Sequence, residues 1–232
     1  MLKKLLTGML VLCMVLGVGS LAFAQTGEVS ADMMFGNHTF KDAHIGYVEG
    51  EPKEQKATAR LTGVKGDISI TEKIGVAGSF VFGKSDDFKD VKDNYGELSN
   101  MSIAIQYQII PMVKARAGFF SGSYAFTDGE TEDKFTTSGI TLGAAVDAEV
   151  ANNIGIFGEA TYAPMVNAKL DKEELKDSSM MAFEAGGKYY FDQFAVKAGY
   201  RYQGFDFKAD EEDAKTSSAT FSGFFIGASM YF

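Results

Sequence analysis

The residues whose type and spacing could do chemistry are Asp32, Lys65, Asp67, Lys114, Arg116, Asp147, Glu149, Glu159, Glu184, Lys188, Lys197 and Arg201. Each lies in a run of alternating apolar and polar residues, on the face opposite the large apolar side chains. Carboxylates enclosed with amines and guanidiniums either serve as acid–base groups or neutralise one another as ion pairs. The acids Asp32, Asp67, Asp147, Glu149, Glu159 and Glu184 are matched by an equal number of bases, so pairing explains them better than catalysis. His38 and His44, at the outer end of the first run and in the loop after it, read as exposed polar loop residues rather than as a general base. No G-x-S-x-G elbow and no paired metal-ligand motif occurs. The expectation is therefore a protein with no catalytic residue, no cofactor and no metal site, and hence not an enzyme.

The runs that must position these charges have approximate cores at 29–35, 62–70, 74–82, 101–109, 113–119, 140–150, 154–166, 181–191, 194–202 and 224–232. In the fourth, Met101, Ile103, Ile105, Tyr107 and Ile109 oppose Ser102, Ala104, Gln106 and Gln108. In the sixth, Ile140, Leu142, Val146 and Val150 oppose Thr141, Gly143, Asp147 and Glu149. Period two at this length is β-strand and not helix. Tight polar turns recur near 72, 111, 152 and 192, and longer charged loops separate the runs at the other end. Most runs reach the roughly 9–11 residues that a tilted strand needs to cross hydrocarbon.

A soluble sandwich shows the same alternation with the apolar face turned inward, so periodicity alone does not separate it from a membrane barrel. A propeller also repeats near the roughly forty-residue spacing of these turns, but it has four strands per blade, where each unit here supplies two long ones. The asymmetry of turns and loops, the aromatic C-terminus and the leader decide for the membrane. Charges kept off the lipid face fit as well, because Lys or Arg there costs about 2–4 kcal/mol at the midplane. The predicted fold is an all-β, transmembrane, antiparallel up-and-down β-barrel, with ten strands and eight as the fallback.

Residues 1–24 read as a cleaved secretory signal peptide: Lys3 and Lys4, an apolar stretch from Leu5 to Leu21, then Ala22-Phe23-Ala24 before Gln25. Residues 25–232 form the single barrel domain. Cys13 lies within the apolar stretch, away from the cleavage point, so no lipid anchor is expected. Removing Lys3 and Lys4 takes the formal charge from −9 to −11, which makes nucleic acid a poor partner. Mean hydropathy of −0.05 suits strands that bring every second residue to lipid. Tyr107, Tyr189, Phe191, Phe194 and Phe232 would form an aromatic girdle near the short-turn end.

These features together resemble the small bacterial outer-membrane β-barrel proteins of the porin-like and OmpA/OmpX-like kind. The resemblance rests on the Ala-Phe-Ala site, the alternating runs, and the ending Phe224-x-Ile226-x-Ala228-x-Met230-x-Phe232. It implies export through the periplasm to the outer membrane and contact with lipid and lipopolysaccharide. It also implies that the barrel-assembly machinery recognises Phe224, Ile226, Ala228, Met230 and Phe232. No periplasmic tether is expected after Phe232. The ten-stranded omptin proteases invite comparison, but His38 and His44 share one loop, and the one Asp-x-His spacing, Asp42-Ala43-His44, lies within it.

Folding the hairpins symmetrically places Arg116 opposite Asp147, Lys114 opposite Glu149, Glu159 opposite Lys188, Glu184 opposite Arg201, and Asp32 opposite Lys65. Two readings of the lumen follow. In one, the charges plug it and the protein is a structural or surface barrel carrying acidic loops (Asp86-Asp87, Asp128 to Asp133, Glu173-Glu174, Asp210 to Asp213). In the other, it is a narrow porin-like channel for small hydrophilic solutes. Neither identifies a surface ligand.

Overall fold

Alternation at period two fixes which side chains can face a common interior, and the computed structural model shows the result. It describes residues 26–42, 53–86, 95–127, 132–170, 173–208 and 216–232. The segment read as a signal peptide lies outside these residues, as do His44, Asp210 to Asp213 and parts of the Asp86-Asp87 and Asp128 to Asp133 clusters, whereas Glu173-Glu174, expected in a loop, begins β9. The strands are β1 (Thr26–Asp42), β2 (Lys53–Ser69), β3 (Ile74–Ser85), β4 (Tyr95–Ile110), β5 (Val113–Thr127), β6 (Glu132–Ala151), β7 (Ile154–Ala163), β8 (Val166–Leu170), β9 (Glu173–Phe191), β10 (Phe194–Lys208) and β11 (Ser217–Tyr231). Every neighbouring pair is antiparallel, and β11 returns to β1, which closes the sheet. β7 and β8 both pair with β6 on one side and β9 on the other, so they are two parts of one stave in a ten-stave barrel.

The seam is tied to the last residue. Gly27 N–H donates to the Phe232 carbonyl at 2.8 Å, and Phe232 N–H donates back to Gly27 at 3.1 Å. The Phe232 ring lies where a Cβ on Gly27 would sit, 2.4 Å from the ring edge, so only glycine fits beneath it. At the turn end two connections place Asn153 and Asp192 at positive φ, 64° and 54°. These are among the few side chains that accept that region readily.

Two irregularities modify the expected strands. The seventh run, expected to be continuous over 154–166, is interrupted at Pro164–Met165, where the pairing to β6 slips by one residue. Proline lacks the N–H the ladder needs, so a bulge is the natural place for it. A second slip lies in β9, where Asp177 has φ 47°.

The strands are also longer than their sequence cores. β6 has 20 residues, which at about 3.3 Å per residue and a tilt near 40° spans roughly 50 Å. An apolar band of about 25 Å covers only half of that. The outer wall reflects this division. Near the turn end it carries exposed Tyr107, Ile109, Ile154, Tyr189, Phe191, Phe194 and Phe232. A second aromatic ring follows at mid-height, with Phe35, Phe80, Phe119, Tyr162, Phe183, Tyr200 and Phe224. Beyond that ring, continuing outward-facing positions become Asn37, Thr39, Thr58, Ser99, Ser121, Thr136, Ser138, Thr220 and Ser222.

The inner wall changes in the opposite sense. Level with the apolar belt it is charged. Level with the hydroxyl-rich wall it holds a cluster of Met34, Leu61, Val81, Leu98, Phe120, Tyr124, Phe135, Val166, Met180, Phe205, Phe207 and Phe221, all buried. The barrel is thus polar inside and apolar outside in its lower tier, and apolar inside and polar outside in its upper tier.

Candidate functional site

Strand alternation delivers the charged side chains to one level of the lumen, and glycines make the room. Asp32 on β1 faces Gly63 on β2 and Gly227 on β11. A Cβ at Gly63 would lie 2.6 Å from Asp32 Oδ1 and 3.2 Å from an Arg201 nitrogen; one at Gly227 would lie 2.7 Å from Asp32 Cβ. With both flanks empty, Arg201 grips Asp32 through two nitrogens, each at 2.9 Å. Its Nε donates to Glu184 at 2.8 Å, and its guanidinium lies 4.8 Å from the centroid of the Phe225 ring. A planar fork on a carboxylate and a cation over an aromatic face are both favourable for buried arginine.

From this pair a continuous chain of contacts crosses the lumen. Lys65 reaches Glu184 at 2.6 Å and Glu159 at 3.8 Å. Arg116 bridges Glu159 at 2.8 Å and Asp67 at 2.9 Å. Lys114 donates to both oxygens of Asp67 at 3.1 Å. At the other end Lys197 lies 3.6 Å from Asp32 and donates to Ser30 at 2.8 Å. Gln106 joins β4 to the chain, donating to Asp67 at 2.5 Å and accepting from Arg116 at 3.2 Å. A separate cluster sits nearer the turn end, where Lys188 donates to Asp147 at 2.5 Å, Glu28 at 3.0 Å and the Tyr231 hydroxyl at 3.0 Å.

The sequence-level list therefore converges on one region, with one exception and one omission. Glu149 is exposed at the turn end, where it accepts from the Asn153 N–H at 3.2 Å. Glu28 takes its place in the lumen, held by Lys188 and by Ser229 at 2.7 Å. It falls one position before the assigned start of the first run, yet it continues the Ser30, Asp32 face two residues earlier, which is the signal that would have found it.

Most of the expected neighbours differ. Arg201 does oppose Glu184. Arg116, however, opposes Gly143 rather than Asp147, and Lys114 opposes Ala145 rather than Glu149. Thr127 pairs with Glu132, so this hairpin folds nearer to β5 than symmetry about 131.5 supposes. Glu159 opposes Glu184 rather than Lys188, because β8 carries the ladder on to Leu170 and Glu173. Asp32 opposes Gly63 rather than Lys65. The ion pairs form across the lumen instead, joining β2 to β5, β7 and β9.

His38 also departs from its reading as an exposed loop residue. It is fully buried on the inner face of β1, with Nδ1 2.9 Å from the Tyr124 hydroxyl and its ring stacked on Phe221 at 4.2 Å. It belongs to the upper apolar tier, a feature the sequence reading omitted altogether.

Space in the lumen falls from the turn end to the loop end. A cavity of about 410 Å³, lined by Glu28, Asp67, Lys114, Asp147, Glu159 and Tyr231 among others, opens at the turn end. A space of about 110 Å³ around Asn100, Thr141 and Thr161 lies above the ion pairs, and one of about 10 Å³ lies between Tyr124, Phe135, Phe205 and Phe221.

A closed antiparallel barrel with an apolar outer belt and charged side chains turned into its lumen defines a transmembrane β-barrel of the small type. No protein-family model matches the chain, and no curated protein sequence does. The solved structures that resemble it are bacterial outer-membrane β-barrels. Ail, the attachment invasion locus protein of Yersinia pestis, is 15% identical over 89% of this chain and 99% of its own, with a TM-score of 0.38. The translocator domain of the autotransporter NalP from Neisseria meningitidis is 12% identical over 99% and 98%, with a TM-score of 0.46. Neisserial surface protein A is 13% identical over 89% and 97%, with a TM-score of 0.36. Similarity of this size says nothing about role, which has to come from the chain's own residues.

Proposed function

We propose that this protein is a non-enzymatic barrel of the bacterial outer membrane, with a structural or surface role and a lumen plugged by its own charges. The observation that carries this reading is the unbroken series of ion pairs from Lys114 through Asp67, Arg116, Glu159, Lys65, Glu184 and Arg201 to Asp32 and Lys197. Its carboxylates, including those that border the turn-end cavity, are each engaged with a cation. Side chains tied together across a narrow barrel weld its walls and obstruct passage. The turn end then faces the periplasm and the loop end the cell exterior, where the acidic loops stand. Outer-membrane lipid and lipopolysaccharide contact the belt and the wall above it. Phe224, Ile226, Ala228, Met230 and Phe232, on the lipid face of the closing strand, serve the barrel-assembly machinery.

Planar-bilayer recording of the purified protein tests this reading. It predicts no stepwise conductance in concentrated salt, and large, steady steps would replace it with the narrow-channel alternative.

A further inference from the structure

The ion-paired layer and the apolar tier above it differ in wetness, and that difference bears on what stops water and ions. Open space flanks the charged layer on both sides, about 410 Å³ below and about 110 Å³ above. The two spaces share Lys65, Ser79, Ser102, Arg116, Glu159 and Glu184 as lining, so the charges sit between water-sized spaces. The upper space has Val81, Phe120 and Met180 in its lining, but also Asn100, Thr141, Thr161 and Gln203, polar groups that hold water. Among the described residues the buried Asn100 Oδ1 has no protein partner, as expected of an atom that bonds to water there.

Above this the space closes. Phe120 lies 6.2 Å from Phe205, Phe135 lies 6.3 Å from Phe205 and 5.0 Å from Phe207, and Tyr124 meets Phe221 edge-on at 5.6 Å. Met34 and Leu61, from β1 and β2, pack into the same cluster, and the space between Tyr124, Phe135, Phe205 and Phe221 is about 10 Å³. That space, bordered by Asn100, Tyr124 and Thr137 as well as by Leu98, Phe135, Phe205 and Phe221, has room for about one water and is too small for a hydrated ion. Apolar constrictions stop ions without needing any charge.

We propose that the permeability barrier of this barrel is the aromatic tier, and that the lumen beneath it is a water-filled blind chamber open to the periplasm. The ion pairs brace the walls of that chamber. This rests on the non-conducting part of the reading above and moves the seal from the ion pairs to the aromatic side chains.

Three proteins in planar bilayers separate the possibilities, each first shown to be folded by a heat-dependent shift in gel mobility. Wild type is silent. Glu159→Gln, which loosens the charged layer, stays silent. Phe120→Ser with Phe205→Ser, which wets the tier, conducts small cations. Conductance by Glu159→Gln, or silence of the folded double variant, overturns the proposal; conductance by wild type defeats the non-conducting reading itself. Should the double variant not fold, accessibility in an otherwise wild-type barrel gives the same answer. The chain's lone cysteine lies at position 13, within the signal segment, so Ser102→Cys is a unique thiol in residues 25–232. A charged, membrane-impermeant thiol reagent labels it in spheroplasts and not in intact cells. Rapid labelling in intact cells overturns the assignment.

Discussion

Asp32 has a charged partner on one side and empty backbone on the other two, and this sets how each residue around it responds to change. Replacing Arg201 with Met leaves Asp32 with Lys197 at 3.6 Å and Glu184 with Lys65 as their remaining cations, and breaking a buried ion pair from one side costs about 3–5 kcal/mol. Removing Asp32 at the same time by Asp32→Leu relieves part of that penalty, so the double variant is more stable than the sum of the singles implies. Urea unfolding in phospholipid vesicles measures both, and strict additivity would show that the pair is not coupled. Gly63→Val puts branched carbon where the Asp32 carboxylate already sits, and prevents or severely weakens folding. Gly78→Ala on the lipid face meets nothing closer than 3.5 Å and leaves the gel-shift midpoint unchanged. Glu149→Gln, exposed at the turn end, changes stability by no more than about 0.5 kcal/mol, whereas Glu159→Gln, in the same predicted set, costs measurably more.

At the level of the strand, the existence of ten staves, their turns and the face each charge occupies were legible because period two survives any error in register. Partners were not legible. A hairpin that folds a residue or two away from its assumed centre keeps every side chain on its face while changing whom it meets, as Arg116 and Gly143 illustrate. Nor was the upper tier read, although its signal is present. In β10 the apolar positions are Phe194, Val196, Ala198 and Tyr200, then Phe205 and Phe207; in β11 they are Phe221, then Phe224, Ile226, Ala228, Met230 and Phe232. The apolar phase slips by one residue in each strand, at the height where the wall outside leaves the hydrocarbon. Ending the runs at 35, 202 and 224 removed that slip from view and left His38 looking like a loop residue. The two-tier account predicts that Phe221→Ala, cutting an enclosed ring, lowers stability by about 3–5 kcal/mol. Thr220→Ala, one position away on the water-facing wall, changes it by less than about 0.5 kcal/mol. Equal effects at the two positions would remove the basis for an apolar upper core.

For the molecule as a whole, two inversions stacked along one axis explain how a chain of ordinary mean hydropathy can both sit in a bilayer and stand above it. The lower tier has an apolar wall outside and ion pairs within; the upper tier has a hydroxyl-rich wall outside and an aromatic core within. On the proposed reading the two tiers together block flow through the centre of the barrel. The absence of tryptophan makes the arrangement directly measurable, because a single introduced indole reports its own surroundings without background. The decisive measurement is fluorescence quenching by bromine-labelled acyl chains in a tryptophan scan along β11. Ile226→Trp and Ala228→Trp should be strongly quenched, Phe225→Trp and Ser229→Trp spared, and Thr220→Trp spared although it faces outward. Quenching of Phe225→Trp with Ile226→Trp left bright would mean that the charged face meets lipid, and quenching of Thr220→Trp would mean that the bilayer reaches the upper tier; either result contradicts the account.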